Sequence, residues 1–355
     1  NEFVIFSIYC SMSSGIVQLV AIGAQDEYII GKPEISFFST TFKRHSNFSQ
    51  SVEKQVIHGD VKNNSMSSVR FERAGDLLGY TYLTIDDTTK AVDVLRWDKL
   101  IDKVELLIGG SIIDSQDAIF TEKIAIDTFA QNISKSAIGT HPGVSARSYF
   151  YPLRFFFCEG PQCALPLVAL NYHNVELRIY WGSEAANYNF ELFSNYYFLD
   201  NEERGNLATR KHDILITQVQ KNEPTRETIQ ELTFNHPVKY LASSDTTTHS
   251  ALTSPQNKIK LNINGVDLAN YRWGKPHFID IMSYYHTNFV TSPDFWLYCF
   301  CLMTSSLQPT GTLNFSRIES AKIMSENMTI DHPIYAVNYN ILRIENGMAG
   351  LLYAN

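Results

Sequence analysis

Lys103-Val-Glu-Leu-Leu-Ile-Gly-Gly110 and Lys258-Ile-Lys-Leu-Asn-Ile-Asn-Gly265 align without a gap at an offset of 155 residues (258 − 103). Each alternates apolar and polar residues with period two, the signature of a half-buried strand. Each then runs into a two-residue turn, Gly109-Gly110 or Asn264-Gly265. Those dipeptides accept positive φ at both central positions, which a type I′ hairpin turn needs to match the twist of its flanking strands. A second echo follows in the same order. Pro166 precedes Asn171-Tyr-His-Asn-Val-Glu176 by five residues, and Pro309 precedes Asn314-Phe-Ser-Arg-Ile-Glu319 by five, an offset of 143 (314 − 171). Their shared order reads as a duplication whose halves differ in loop length, so two similar all-β domains are expected.

The rest of the chain agrees with this reading. Val175–Ile179 and Ile214–Val219 alternate as half-buried strands do, whereas Leu153–Cys158 and Phe295–Met303 are continuous apolar runs, expected as strands covered on both faces. Helical periodicity is brief, with Ala118–Gln131 its best stretch. Many short runs separated by turn residues point to sandwiches or barrels. The polar segment Asp200–Arg210 lacks alternation and falls between the halves. The division is therefore an N-terminal arm at 1–33, a first domain at 34–200 with its first strand near Glu34, a linker at 201–210 and a second domain at 211–355. A chain of 355 residues gives each half enough length to bury its own core.

Composition removes several function classes. With 44% hydrophobic and 19% charged residues the chain falls among ordered globular proteins. The formal net charge is −8 and no run of Lys and Arg forms the basic stripe that phosphate binding needs, so no direct nucleic-acid contact is expected. Phe3–Ile8 is too short to span a membrane and lacks the features of a signal peptide. Met12 reads as a start, which sets residues 1–11 apart as upstream translation or an expression remnant. Five cysteines, Cys10, Cys158, Cys163, Cys299 and Cys301, are too few and too irregular for a disulfide framework.

The chemistry-bearing residues also have plain structural roles open to them. No phosphate-binding Gly-rich loop, His-Glu-x-x-His or Gly-x-Ser-x-Gly occurs. Cys158, Cys163, Cys299 and Cys301 can be drawn as a four-thiolate zinc site, but the spacing is not that of a zinc knuckle and all four adjoin apolar runs, so small buried hydrophobes are the preferred reading. His173, His236 and Glu176 can be drawn as an acid-base set; hydrogen bonding at turns is preferred for the histidines. The sequons at Asn47, Asn63, Asn132, Asn314 and Asn327 are read as chance triplets, with modification of exposed loops left open. The clusters Phe155–Phe157 and Tyr284-Tyr285 are read as packing surfaces, because they lack the basic surround of a base-stacking groove. No catalytic, cofactor-binding or metal-binding residue is assigned, and no cofactor is expected.

Four blocks carry a family resemblance. They are Gln18–Asp26 with Gly31–Phe38 and Lys43–Phe48; Tyr151–Phe157 with Ala164–His173; Phe234–Leu241; and Gln308–Ile318 with Ile334–Ile344 and Gly347–Asn355. In this order they resemble the double jelly-roll major capsid proteins of nucleocytoplasmic large DNA viruses, of the algal and giant-virus type, from residue 16 to the last. Leu83–Trp97, Ser115–Ser148 and Ser243–Gln256 depart from the pattern.

The resemblance implies an all-β chain of two tandem eight-stranded jelly rolls with few short helices. It implies a structural, non-enzymatic subunit of the virion that forms homotrimers, pseudo-hexagonal capsomers tiling an icosahedral shell assembled in the host cytoplasm. Neighbouring capsomers and minor capsid proteins are the expected partners, with an inner viral membrane as an indirect one. The competing hypothesis is a carbohydrate-binding or carbohydrate-active β-sandwich, since fold alone does not separate the two. The apolar arm from Ser13 to Pro33 has two open readings: an assembly contact on the inner face, as in the family, or a strap under its own jelly roll.

Overall fold

The computed structural model describes residues 14–85, 97–129, 131, 150–244, 251–288 and 295–354. Met12, Cys10, residues 1–11 and the sequon at Asn132 lie outside them. Residues 1–45 and 46–355 form separate compact units. The first contains two short helices, Ser14–Val20 and Glu27–Ile30. Residues 34–47 join no ladder, so the expected strand near Glu34 is corrected: the first strand opens at Phe48. Alternation alone does not make a strand, because backbone N–H and C=O groups need a paired neighbour.

The second unit is mostly β-sheet with a few short helices. Its first half runs β1 (Phe48–Gln55), β2 (Ile57–His58), β3 (Met66–Arg70), β4 (Leu77–Ile85), β5 (Ile101–Ile108), β6 (Ser111–Asp117), β7 (Phe150–Pro152), β8 (Leu165–Pro166), β9 (Val175–Trp181) and β10 (Phe190–Leu199). Its second half runs β11 (His212–Asn222), β12 (Ile229–Glu231), β13 (Pro237–Ser244), β14 (Lys258–Ile263), β15 (Val266–Trp273), β16 (Phe295–Cys299), β17 (Leu313–Asn314), β18 (Ala321–Ser325), β19 (Ile334–Glu345) and β20 (Met348–Leu351). The sheets are β1-β10-β4-β7 facing β2-β3-β9-β5-β6, and β11-β19-β13-β16 facing β12-β18-β14-β15. Apart from the short strand β2, the second pair repeats the first: β10 lies between β1 and β4 as β19 lies between β11 and β13, and β9 and β18 lie beside the hairpins β5-β6 and β14-β15. This is the jelly-roll order twice over, so the chain is a double jelly roll.

The duplicated hairpin has the expected turn. Gly109 and Gly110 have φ of 60° and 83°, Asn264 and Gly265 of 49° and 81°, so both central residues are left-handed in each copy. Ile108 pairs with Val175 and Ile263 with Ala321, which keeps the first echo in register. The second echo is corrected by the same pairs. Val175 corresponds to Ala321, an offset of 146 (321 − 175) rather than 143. The two-residue strands Leu165–Pro166 and Leu313–Asn314, each followed by a 3-10 turn, correspond at 148 (313 − 165). Asn171 and Asn314 therefore hold different places, one beyond its 3-10 turn and the other before it.

Two apolar runs fold differently from expectation. Phe155, Phe156 and Phe157 are all buried, but Phe156–Cys158 is a 3-10 turn, not a strand. The run lacks alternation because packing surrounds the turn on every side. The strand at Phe295 ends at Cys299 and the chain then bends. Within Ala118–Gln131 the helix occupies Phe120–Thr128, its first five residues wound as a π-helix. The polar segment between the halves is itself helical, Asn201–Thr209. The Asp200 carboxylate accepts the Asn201 N–H at 2.8 Å, and Arg204 pairs with Asp76 of the first roll at 2.9 Å.

Candidate functional site

The surface that the fold builds with most care, among the described residues, is the junction between its two jelly rolls. After β6 the chain enters the helix at Phe120–Thr128, which lies against the β11-β19-β13-β16 sheet. Phe120, Ile124, Ala125 and Phe129 share one buried cluster with Tyr240, Ala242, Phe295, Leu297, Tyr335 and Val337. The Phe120 and Tyr335 ring centroids stand 5.6 Å apart. Burial of side chains of this size contributes about 1.5–3 kcal/mol each relative to exposure, enough to fix the two rolls in one arrangement.

Polar groups set the register of that contact. Asp114 Oδ1 accepts the Val219 N–H at 2.9 Å, and Gln116 Nε2 donates to Asp114 Oδ2 at 2.7 Å. Burial pushes the Asp114 carboxyl up to about 7, against the opposing pull of the donors around it. Tyr335 Oη donates to Asp117 Oδ2 at 2.6 Å, and the Lys221 ammonium stands 3.3 Å from the same oxygen. Gln218 Nε2 donates to the Ile113 carbonyl, while its Oε1 accepts from Asn340 Nδ2 at 2.9 Å. Sequence reasoning missed this network, although mid-strand Gln218, Asn338 and Asn340 interrupt apolar faces and so signal buried partners.

The candidate residues fall into separate settings. His173 Nδ1 lies 3.1 Å from the Ala349 amide, and Tyr172 N–H donates to the Gly347 carbonyl at 2.9 Å, so the 171–174 loop joins the first roll to the last hairpin. Gly109 presses on the His173 ring: a Cβ there would meet Nδ1 at 2.3 Å. His236 stands at the entrance of β13 with φ of 65°, its N–H donating to Ser316 Oγ at 2.8 Å. Glu176 lies on β9 opposite Arg70. No acid-base set is drawn from these three. Cys158, Cys163, Cys299 and Cys301 are free, and no group of three or more His, Cys, Asp or Glu that could hold a metal occurs among the described residues, so the four-thiolate drawing is not realised there. Burial pushes the Cys158 thiol far above its usual range, which keeps it protonated and inert. Asn314 Oδ1 accepts the Ser316 N–H at 3.0 Å within its own turn, whereas Asn63 Oδ1 accepts the Ala186 N–H at 2.8 Å across 123 residues, so both sequon side chains serve structural hydrogen bonds.

Comparison with known proteins places this arrangement. Residues 36–189 match the family model described as major capsid protein N-terminus, and residues 203–350 match that of the large eukaryotic DNA virus major capsid protein. The major capsid protein of Pyramimonas orientalis virus is 32% identical, covering 97% of this chain and 100% of the relative. That of Paramecium bursaria Chlorella virus 1 is 30% identical over the same shares, 97% and 100%. The solved PBCV-1 virus capsid superposes with a TM-score of 0.77 at 26% identity, over 90% of this chain and 100% of that one. The Faustovirus major capsid protein shares the fold at a TM-score of 0.62 and 12% identity, over 91% and 94% of the two chains. The carbohydrate-binding or carbohydrate-active alternative finds no support in these likenesses.

Proposed function

The chain belongs to the major capsid protein family of large eukaryotic DNA viruses, and from that premise we propose that three copies close into a ring of six jelly rolls, a pseudo-hexagonal capsomer that tiles an icosahedral shell. Its role is structural and its place is the capsid. One observation carries the trimer reading: the two rolls repeat the same strand order and already pack helix against sheet within one chain. Repeating that contact between chains is a heterologous association, which closes only as a ring. A duplicated subunit lets a three-fold ring occupy a six-fold environment.

The reading takes residues 34–200 and 211–355 as the two domains, with 201–210 as a helical linker and 1–33 as an arm. Neighbouring capsomers and minor capsid proteins are its partners, an inner viral membrane is met indirectly, and assembly takes place in the host cytoplasm. Direct nucleic-acid binding and catalysis form no part of it. The net charge of −8 supports the first exclusion. Native mass spectrometry tests the proposal. A species of about 121 kDa, three times 40.4 kDa, is expected at micromolar concentration; monomer alone across that range overturns it.

A further inference from the structure

The first roll holds an apolar pocket between β4, β7 and the helix at 120–128, with a volume of about 180 Å³. Close packing leaves few voids larger than a water molecule, and an apolar cavity of about 150 Å³ is already large enough to take benzene. The walls are aromatic. Trp97 and Tyr151, with ring centroids 5.3 Å apart, lie on its buried side, and Tyr82 and Phe150, 5.4 Å apart, on its half-buried side. The pocket therefore reaches from the core of the roll toward solvent.

Polar groups converge on it. The Thr121 hydroxyl, the Tyr151 hydroxyl and Arg154 Nε have no hydrogen-bond partner among the described residues, although these residues are only 3%, 1% and 6% exposed. All three line the pocket. The Thr121 and Tyr151 hydroxyls are neighbours but do not meet with hydrogen-bond geometry. A buried polar group without a partner is destabilising, and native folds keep few of them, so three around one apolar pocket point to a partner from outside the chain. Arg154 Nε can only donate, and burial pushes the Tyr151 phenol above its usual range, which keeps its proton in place for donation. The complementary group is an acceptor oxygen. Charge narrows the class further. Glu122 also lines the pocket, and the Arg154 guanidinium already faces Glu159 at 3.4 Å. A carboxylate would meet like charge there and carry an unmatched charge into an apolar site, whereas a neutral carbonyl would do neither.

We infer that this pocket binds a small, flat, uncharged aromatic molecule carrying one carbonyl oxygen, its ring among Trp97, Tyr82 and Phe150 and its oxygen accepting from Tyr151, Thr121 or Arg154. Offset and edge-to-face contacts suit such a ring, and a carbonyl oxygen has two lone pairs for the donors that converge on it. An apolar concavity with a few placed polar groups is the usual form of a small-molecule site. Its residues all belong to the first roll, so the inference does not rest on the trimer reading.

The test titrates acetophenone into the full chain at neutral pH by calorimetry, with benzene and benzoate as comparisons. Acetophenone is expected to bind with a Kd below about 1 mM, within reach of a ligand of about nine heavy atoms. It should bind at least about fivefold more tightly than benzene or benzoate, the share that its hydrogen bonds supply. Tyr151→Phe keeps the ring and removes a hydroxyl that has no partner in the chain, so folding is spared. It should weaken acetophenone about two- to tenfold and leave benzene unchanged. Thr121→Val repeats the measurement at the neighbouring hydroxyl. Ile126→Trp places a larger side chain in the pocket wall and should abolish binding of both ligands, with a melting curve to check that each variant is folded. No binding of acetophenone, equal affinities for acetophenone and benzene, or an acetophenone affinity unchanged in Tyr151→Phe and Thr121→Val overturns the inference. Benzoate binding as tightly as acetophenone overturns the uncharged class.

Discussion

Asp114 of the first jelly roll accepts the backbone N–H of Val219 of the second at 2.9 Å, a buried carboxyl holding a strand of the other roll by its amide. Its value of about 7 against an ordinary 3.8 means that the folded chain binds a proton there more tightly than the unfolded chain does. Stability from this group is therefore fully present below pH 3.8 and is lost as pH rises through about 7. Asp117 and Lys221 stand nearby, so the comparison is made between variants and not between pH values alone. Asp114→Asn keeps an acceptor for Val219 and removes the titration. The melting temperature of wild type should fall more steeply between pH 5 and pH 8 than that of Asp114→Asn. Parallel curves would mean that Asp114 carries no such linkage.

Glycine substitutions in the duplicated turns should rank by what surrounds them. Gly109→Ala meets both a positive φ and the His173 ring, at 2.3 Å from Nδ1, whereas Gly110→Ala meets the positive φ with open space around it. The first is expected to cost about 2–3 kcal/mol and the second about 1 kcal/mol. Gly265→Val should also exceed Gly110→Ala, since a β-branched residue tolerates positive φ least. Chemical denaturation of the three variants checks the order; equal midpoints would remove the importance given to these turns.

The duplication was legible in the sequence because a type I′ turn leaves few choices of residue, and Gly109-Gly110 and Asn264-Gly265 announce it. The register of the second echo was not. Five residues, 170–174, follow the 3-10 turn in the first half and three, 318–320, in the second, and a matching Pro and Asn hid that difference. Burial misled the reading of Phe155–Phe157, because a turn enclosed by packing is as apolar as a strand covered on both faces. The junction was hidden for a further reason: Phe120 and Tyr335 are 215 residues apart (335 − 120), and no local pattern records that two apolar faces belong to each other.

Phe120 tests how far the rolls depend on their contact. It is wholly buried, with Phe129 at 5.8 Å and Tyr335 at 5.6 Å between centroids. Phe120→Ala removes that ring from a packed interface and should cost about 3–5 kcal/mol. Calorimetry should show the change as a lowered melting transition. An unchanged transition would mean that the rolls do not rely on this helix for their stability.

The arm is the last case. Residues 1–45 form a unit distinct from 46–355, and the jelly-roll strands begin only at Phe48. Deleting residues 1–30 removes the apolar sequence from Ile16 to Ile30 and leaves every strand of the four sheets in place. If the arm is an assembly contact, the truncated chain keeps its melting temperature and its trimer mass and loses incorporation into shells. If it is a strap, both properties of the isolated protein fall. Thermal unfolding and native mass of the truncated chain decide between them, and a melting temperature lowered by more than about 4–8 °C, the shift that about 1 kcal/mol makes in a small domain, would leave the assembly role without support.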